Sequence, residues 1–341
     1  MKNDNDNPPS DGAHGARHLS LQVRASHTLM SSSRLLVLVP LILLFSACSS
    51  DRTLSPISPS DVLSDSSLTG DVLAQWSPYV GIHLTGEAMD AYRDAVLTLT
   101  AAGQLDGVRV ELGRSLSPGD PAYRAISSTG VELLGLISNE HLFSPNIEQE
   151  IDRIFGAFPE IRHFQIGNEV TTILPSNGPT LTIDQYMTIF MRIYDHVQSR
   201  HPGRAILLTQ SIVGSGLHGP TELETMVNLG LTRVDPNHVI IAINMYDLDY
   251  AGQFVGLLGG QLRRFRLWVT ESGTRDQSLH MTWVRDQYPR LRNLVRAERV
   301  YWYVMWGGDS GPDTDFSLIK NPGLFPNYWK SPLFELLTAT R

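Results

Sequence analysis

A single cysteine, Cys48, stands in a chain of 341 residues. One thiol excludes an internal disulfide framework and a zinc site built on cysteines. Basic residues are also scarce. There are 27 Lys and Arg against 35 Asp and Glu, for a formal net charge of −8. A chain of that sign with scattered cations has no electrostatic footprint for nucleic acid. It also offers no polybasic patch to a membrane surface. The apolar run Leu35–Ala47 falls well short of the ~20 residues a spanning helix needs.

That run is the right length for the core of a signal peptide, so residues 1–48 read as an N-terminal extension and targeting segment. Its end, Leu44-Phe45-Ser46-Ala47-Cys48, resembles the lipobox of bacterial lipoproteins. The resemblance implies export, a lipidated Cys48 and a place in the cell envelope, with the membrane touched only through that lipid. Ser49, rather than Asp, follows the cysteine, which in a Gram-negative lipoprotein implies sorting to the outer membrane. Residues 1–29 are polar and without apolar period, and Met30 is expected to be the true start. Residues 49–75 are rich in Ser, Pro and Asp and bury too little apolar area to offset their ordering entropy, so they read as a tether.

From residue 76 to 341 the pattern changes to short runs of Val, Ile and Leu, each followed by a helical stretch. Strands are expected at Tyr79–His83, Gly107–Glu111, Val131–Ser138, Ile161–Gly167, Ala205–Gln210, His238–Asn244, Phe265–Thr270 and Val300–Met305. Near-continuous apolar strands joined by helices indicate a parallel sheet covered on both faces. Tyr186, Ile189, Phe190, Ile193, Tyr194 and Val197 fall on one helical face, with Thr182 and Gln185 at capping-box spacing and Pro202-Gly203 as the stop. Met89, Tyr92, Val96 and Leu99 repeat that period more weakly. Eight strand–helix units in this length match an α/β fold of the (β/α)₈ TIM barrel type. Gly214-Ser-Gly-Leu-His-Gly219 spells a dinucleotide-binding fingerprint, but it follows the fifth strand rather than the first, and a loop is expected.

Barrel enzymes keep their reactive residues at the C-terminal ends of the strands. There the fourth strand carries Asn168 and Glu169, and the seventh carries Glu271. The second carries Arg109 and Glu111, the sixth Asn244, Tyr246 and Asp247, and the first His83. The eighth runs through Tyr301 and Trp302 to Trp306. Two carboxylates facing each other across a barrel are what glycoside hydrolysis needs: one to protonate the leaving oxygen, one to attack the anomeric carbon. Taken singly, Glu169 suits a loop cap and Glu271 an ion pair with Arg109.

These residues resemble clan A of the glycoside hydrolases, retaining barrels that include cellulases, mannanases and xylosidases. The resemblance spans residues 76–341. It implies Glu169 as acid/base, Glu271 as nucleophile, and Asn168 as partner of a sugar hydroxyl. It further implies Tyr246 and Arg109 as supports of Glu271, and Trp306 as the floor of the sugar site. The substrate is then a poly- or oligosaccharide, and no cofactor or metal is called for. His83 is a candidate for lining the sugar site. Asn244 stands where cellulase-like members often carry His, a departure from that subgroup. Two other readings stay open: a barrel lipoprotein that binds glycan without cleaving it, and a metal-dependent isomerase or lyase using His83, Glu111, Glu169, Asp247 and Glu271.

Overall fold

The structure is a computed structural model that describes residues 80–339, apart from 85–88, 104, 115, 173–179, 214–217, 309, 312 and 325. The targeting segment, Cys48 and the tether lie outside the described residues, as does most of the glycine-rich motif at 214–219.

The barrel strands are β1 (Val80–Leu84), β2 (Gly107–Leu112), β3 (Glu132–Ile137), β4 (His163–Ile166), β5 (Ile206–Leu208), β6 (Ile212–Val213), β7 (Val239–Met245), β8 (Arg266–Ser272) and β9 (Ala297–Trp302). All pair in parallel in the order β5-β4-β3-β2-β1-β9-β8-β7-β6. β5 and β6 both pair with β7, so together they form one stave, and the sheet closes into an eight-stave barrel. The helices α1 (Met89–Ala101), α2 (Pro121–Ser127), α3 (Asn139–Leu142), α4 (Ile147–Ala157), α5 (Ile183–Arg200), α6 (His218–Asn228), α7 (Leu248–Gly259), α8 (Tyr288–Val295) and α9 (Pro332–Thr338) follow the strands in turn. The chain thus has the expected (β/α)₈ architecture.

Local chemistry explains the elements. Thr182 and Gln185 form the anticipated reciprocal capping box, and α5 stops before Pro202-Gly203. Tyr186, Phe190, Ile193 and Val197 are buried on its inner face. Burial divides into two layers. One cluster, which includes Val96, Phe190 and Phe254, packs helices onto the outside of the sheet. A smaller one, Leu134, Leu208, Ile240, Ala242, Trp268 and Tyr301, fills the barrel itself. Among the described residues, no helix is long and apolar enough to cross a membrane.

β9 departs from expectation by starting and ending three residues early, at Ala297 and Trp302 rather than Val300 and Met305. Arg296, in the left-handed region at φ 57, ends α8 and sends the chain straight into the strand. The first half of that strand looks polar but is paired: Glu298 accepts from Trp268 Nε1, and the Arg299 guanidinium lies 4.0 Å over the Trp268 ring. With period two, Arg299, Tyr301 and Tyr303 share the inner face.

Candidate active site

The inner-face alternation that buries Ile240 and Ala242 on β7 continues to Asn244 and Tyr246. On β2 it brings Arg109 inward, on β4 Gln165, and on β1 His83. β8 needs one further device. Its register with β7 slips between Ile243 and Asn244, so that Asn244 pairs with Glu271 rather than Thr270. Such a bulge re-aims side chains at a strand end, and both Thr270 and Glu271 turn toward the upper centre of the barrel.

Arg109 is the hub. Its side chain is fully buried, and an unpaired buried guanidinium would be severely destabilising. Here it has four acceptors. Nε donates to Gln165 Oε1 at 2.9 Å and Nη2 to Asn168 Oδ1 at 3.0 Å, while Nη1 donates to Glu271 Oε1 at 2.7 Å and lies 3.0 Å from His83 Nδ1. Because guanidinium only donates, His83 Nδ1 must accept, and Nε2 carries the ring proton. Burial and the Arg109 charge hold the His83 pKa well below its ordinary value, consistent with a neutral ring.

Glu271 takes its second hydrogen bond from Tyr246, whose hydroxyl donates to Oε2 at 2.6 Å. Burial and the adjacent Glu271 charge raise the tyrosine pKa well above 10, so this phenol stays a donor. Both oxygens of Glu271 are therefore held, one by a cation and one by a neutral hydroxyl.

Glu169 has the opposite setting. Burial first, and the charge of Glu271 second, push its pKa up to about 7. The hydrogen bond from Asn244 Nδ2 to Oε1, at 2.7 Å, pulls in the other direction but is outweighed. The residue sits at φ 48, outside the favoured regions for a non-glycine. Backbone held there needs surrounding structure to fix it. Three contacts do so. Glu169 N–H donates to Ser211 O, Asn168 N–H donates to Asn139 Oδ1, and Asn139 Nδ2 donates to Asn168 O. Gly167 precedes them at φ 77, where a Cβ would come within 2.4 Å of Val170 Cγ2, so the chain can turn only with glycine there.

A directional chain of hydrogen bonds links the two carboxylates around the barrel wall. Arg109 Nε donates to Gln165 Oε1, and Gln165 Nε2 donates to Ser211 Oγ at 2.7 Å. Ser211 Oγ lies 2.6 Å from Thr270 Oγ1, which donates to Asn244 Oδ1 at 3.0 Å, leaving Asn244 Nδ2 for Glu169. Every amide orientation in the chain is fixed by its neighbours. Asn139, Gln165, Ser211 and Thr270 escape motif reasoning. For Gln165 and Thr270 the signal is polarity inside otherwise apolar strands, whereas Asn139 opens α3 and Ser211 lies between β5 and β6.

The structure thus brings together Glu169, Glu271, Arg109, Asn168, Asn244, Tyr246 and His83. Trp306 is placed differently: it is half-buried against the outer core, and its ring makes an edge contact with Tyr92 of α1 at 6.3 Å. The eighth stave instead contributes Tyr303, stacked on His83 at 5.6 Å and edge-on to Tyr246 at 6.2 Å. Phe316 packs against both tyrosines. Trp302 faces outward, donating from Nε1 to Phe316 O, and Trp268 belongs to the barrel filling. Glu111 accepts from Ser138, and Asp247 caps α7.

No protein-family model matches the chain, and no curated protein matches it. Solved structures do. An endo-β1,6-glucanase superposes with a TM-score of 0.58 at 9% identity, over 76% of this chain and 75% of its own. A GH10 endoxylanase from a sugarcane soil metagenome gives 0.53 at 10% identity, over 79% and 99%. A GH30 endoxylanase from Clostridium papyrosolvens C71 gives 0.51 at 9% identity, over 76% and 70%. At these identities the likeness is one of fold: the chain shares its (β/α)₈ barrel with three glycoside hydrolases.

Proposed function

We propose that the protein is a retaining β-glycoside hydrolase acting on a poly- or oligosaccharide. The single observation that carries the reading is the unequal environment of two neighbouring carboxyl groups. Glu271 is gripped by Arg109 and Tyr246, while Glu169 is pushed to about 7. A carboxyl raised by its surroundings, beside one held by a cation and a hydroxyl, assigns the acid and the nucleophile. The three fold neighbours, named as a glucanase and two xylanases, agree with that class.

In the first step Glu169 gives its proton to the glycosidic oxygen, and Glu271 attacks the anomeric carbon as the C–O bond breaks. Esterification removes the Glu271 charge, the second cause of the raised Glu169 pKa, so Glu169, having given up its proton, stays ionised and free to accept one. It then takes a proton from water, the water attacks the same carbon, and Glu271 leaves as carboxylate. Asn168, fixed by Arg109 and Asn139, is positioned to hydrogen-bond a sugar hydroxyl. Tyr303 and His83 offer a ring surface for the apolar face of the sugar.

The alternative metal reading is disfavoured by geometry. Arg109 already lies between His83 and Glu271 as a fixed cation, and Asp247 is engaged at a helix cap. Export and a lipid anchor at Cys48 belong to the same proposal and rest on the sequence of residues 30–48. The test is proton NMR of the first-formed product, combined with Glu169→Ala. Retained anomeric configuration is expected, with the variant keeping activity mainly on aryl glycosides whose leaving groups need no protonation. An inverted product overturns the double displacement, and equal losses on all leaving groups overturn Glu169 as the acid.

A further inference from the structure

A second constellation lies far from the carboxylates. α5 begins beside the rim and runs back along the barrel wall, so its C-terminus lies at the opposite end, just before β5. There His196, within the last turns of α5, and His201, its C-cap, converge on Asp152 of α4. His196 Nε2 lies 2.7 Å from Asp152 Oδ1, and His201 Nε2 lies 2.6 Å from the same oxygen. The two rings are 5.8 Å apart and steeply inclined, at 68°. The His201 ring is held in turn by an edge contact with Phe155 at 5.4 Å.

We infer that Asp152, His196 and His201 form a zinc-binding site that ties α4 to α5. Two N–H groups aimed at one carboxylate oxygen occupy the position a cation would take between the same three atoms. Those ligand atoms already lie within 4.8 Å of one another. A tetrahedral zinc ion with bonds of about 2.0–2.1 Å sets its ligand atoms roughly 3.3 Å apart. Seating it requires the two N···O pairs to open by about 0.6–0.7 Å and the two imidazole nitrogens, which lie within 4.8 Å of one another, to take up the same spacing through side-chain rotations. Neutral histidines need only move the proton from Nε2 to Nδ1. Two imidazole nitrogens and one carboxylate oxygen suit zinc better than magnesium or calcium, which prefer all-oxygen sets. Three protein ligands leave the fourth position to water. The likeness to a catalytic zinc shell ends there, because the site is at the end of the barrel away from the carboxylates. Its role is to join two neighbouring helices.

The test is zinc binding and thermal unfolding of the full chain, wild type against the double variant His196→Asn/His201→Asn and against Asp152→Asn. Wild type is expected to bind one more zinc per chain than the double variant. At about a hundredfold excess over Kd its Tm should rise by roughly 5–10 °C, with no rise in either variant and none with magnesium. Cobalt substituted for zinc should give the visible absorption of a tetrahedral ion in wild type alone, a readout that holds even if a variant folds poorly. Equal stoichiometry in wild type and double variant, or no tetrahedral cobalt spectrum in wild type, overturns the site. Glycoside cleavage should be the same with and without zinc, so this result stands or falls apart from the proposed hydrolase activity.

Discussion

Glu169→Gln should make the protein more stable, and increasingly so as pH rises. The native carboxyl group is raised from an ordinary 4.5 to about 7, chiefly by burial. Between those values the folded chain holds a proton that the unfolded chain has released. Stability therefore falls as pH climbs from about 4.5 to about 7 and is flat above that. At roughly 1.4 kcal/mol per pH unit, the full displacement corresponds to about 3 kcal/mol. Glutamine is uncharged at every pH, and its Oε1 can still accept from Asn244 Nδ2. Urea unfolding of both proteins at pH 5 and pH 8 reads the effect. The variant's advantage should grow from about 1 kcal/mol at pH 5 to about 3 kcal/mol at pH 8. A gap that does not change with pH, or a wild type more stable at pH 8, would refute the assignment of Glu169 as a carboxyl kept protonated by its surroundings. The same proton governs catalysis, so the alkaline limb of kcat/KM should fall near pH 7.

Two further substitutions probe the supports. Asn244→Ala removes a hydrogen-bond donor that lowers the Glu169 pKa, so the alkaline limb should move upward even as the maximal rate falls. A downward shift would contradict the linkage, and a pH–rate profile decides it. Tyr246→Phe deletes the hydroxyl bound to Glu271 Oε2. A hydrogen bond to a charged group contributes about 1.5–3 kcal/mol, so a loss of roughly 10- to 100-fold in kcat is expected. Wild-type turnover in that variant would remove Tyr246 from the site.

The barrel was legible because its strands obey simple rules. Apolar runs such as Val239–Met245 have one length, and the amphipathic helix 183–200 has caps at both ends. The carboxylates were legible through the strand-end rule, and the supporting places of Arg109 and Tyr246 through the resemblance to clan A. What remained hidden depends on registers that a single strand does not reveal. β9 begins inside a charged stretch whose partners, Trp268 of β8 and Glu132 of β3, come from other staves. The resemblance set Trp306 at the floor of the sugar site, whereas the inner-face alternation from Arg299 and Tyr301 leads to Tyr303. The irregularity that turns Glu271 inward exists only in the pairing of β8 with its neighbours, where the register slips against both β7 and β9. Gln165, Ser211 and Thr270 lie far apart in sequence, and only closure of the barrel brings them into one hydrogen-bonded chain.

The central claim is that Glu271 forms a bond to sugar. Its most direct test is product release from β-linked polysaccharides and aryl glycosides, comparing wild type with Glu271→Ala, with and without azide. Cleavage by wild type, near-complete loss in the variant and partial recovery as a glycosyl azide are predicted. Recovery separates a missing nucleophile from a missing fold. A variant that cleaves like wild type, or a wild type that binds these glycans and releases nothing, would contradict the account.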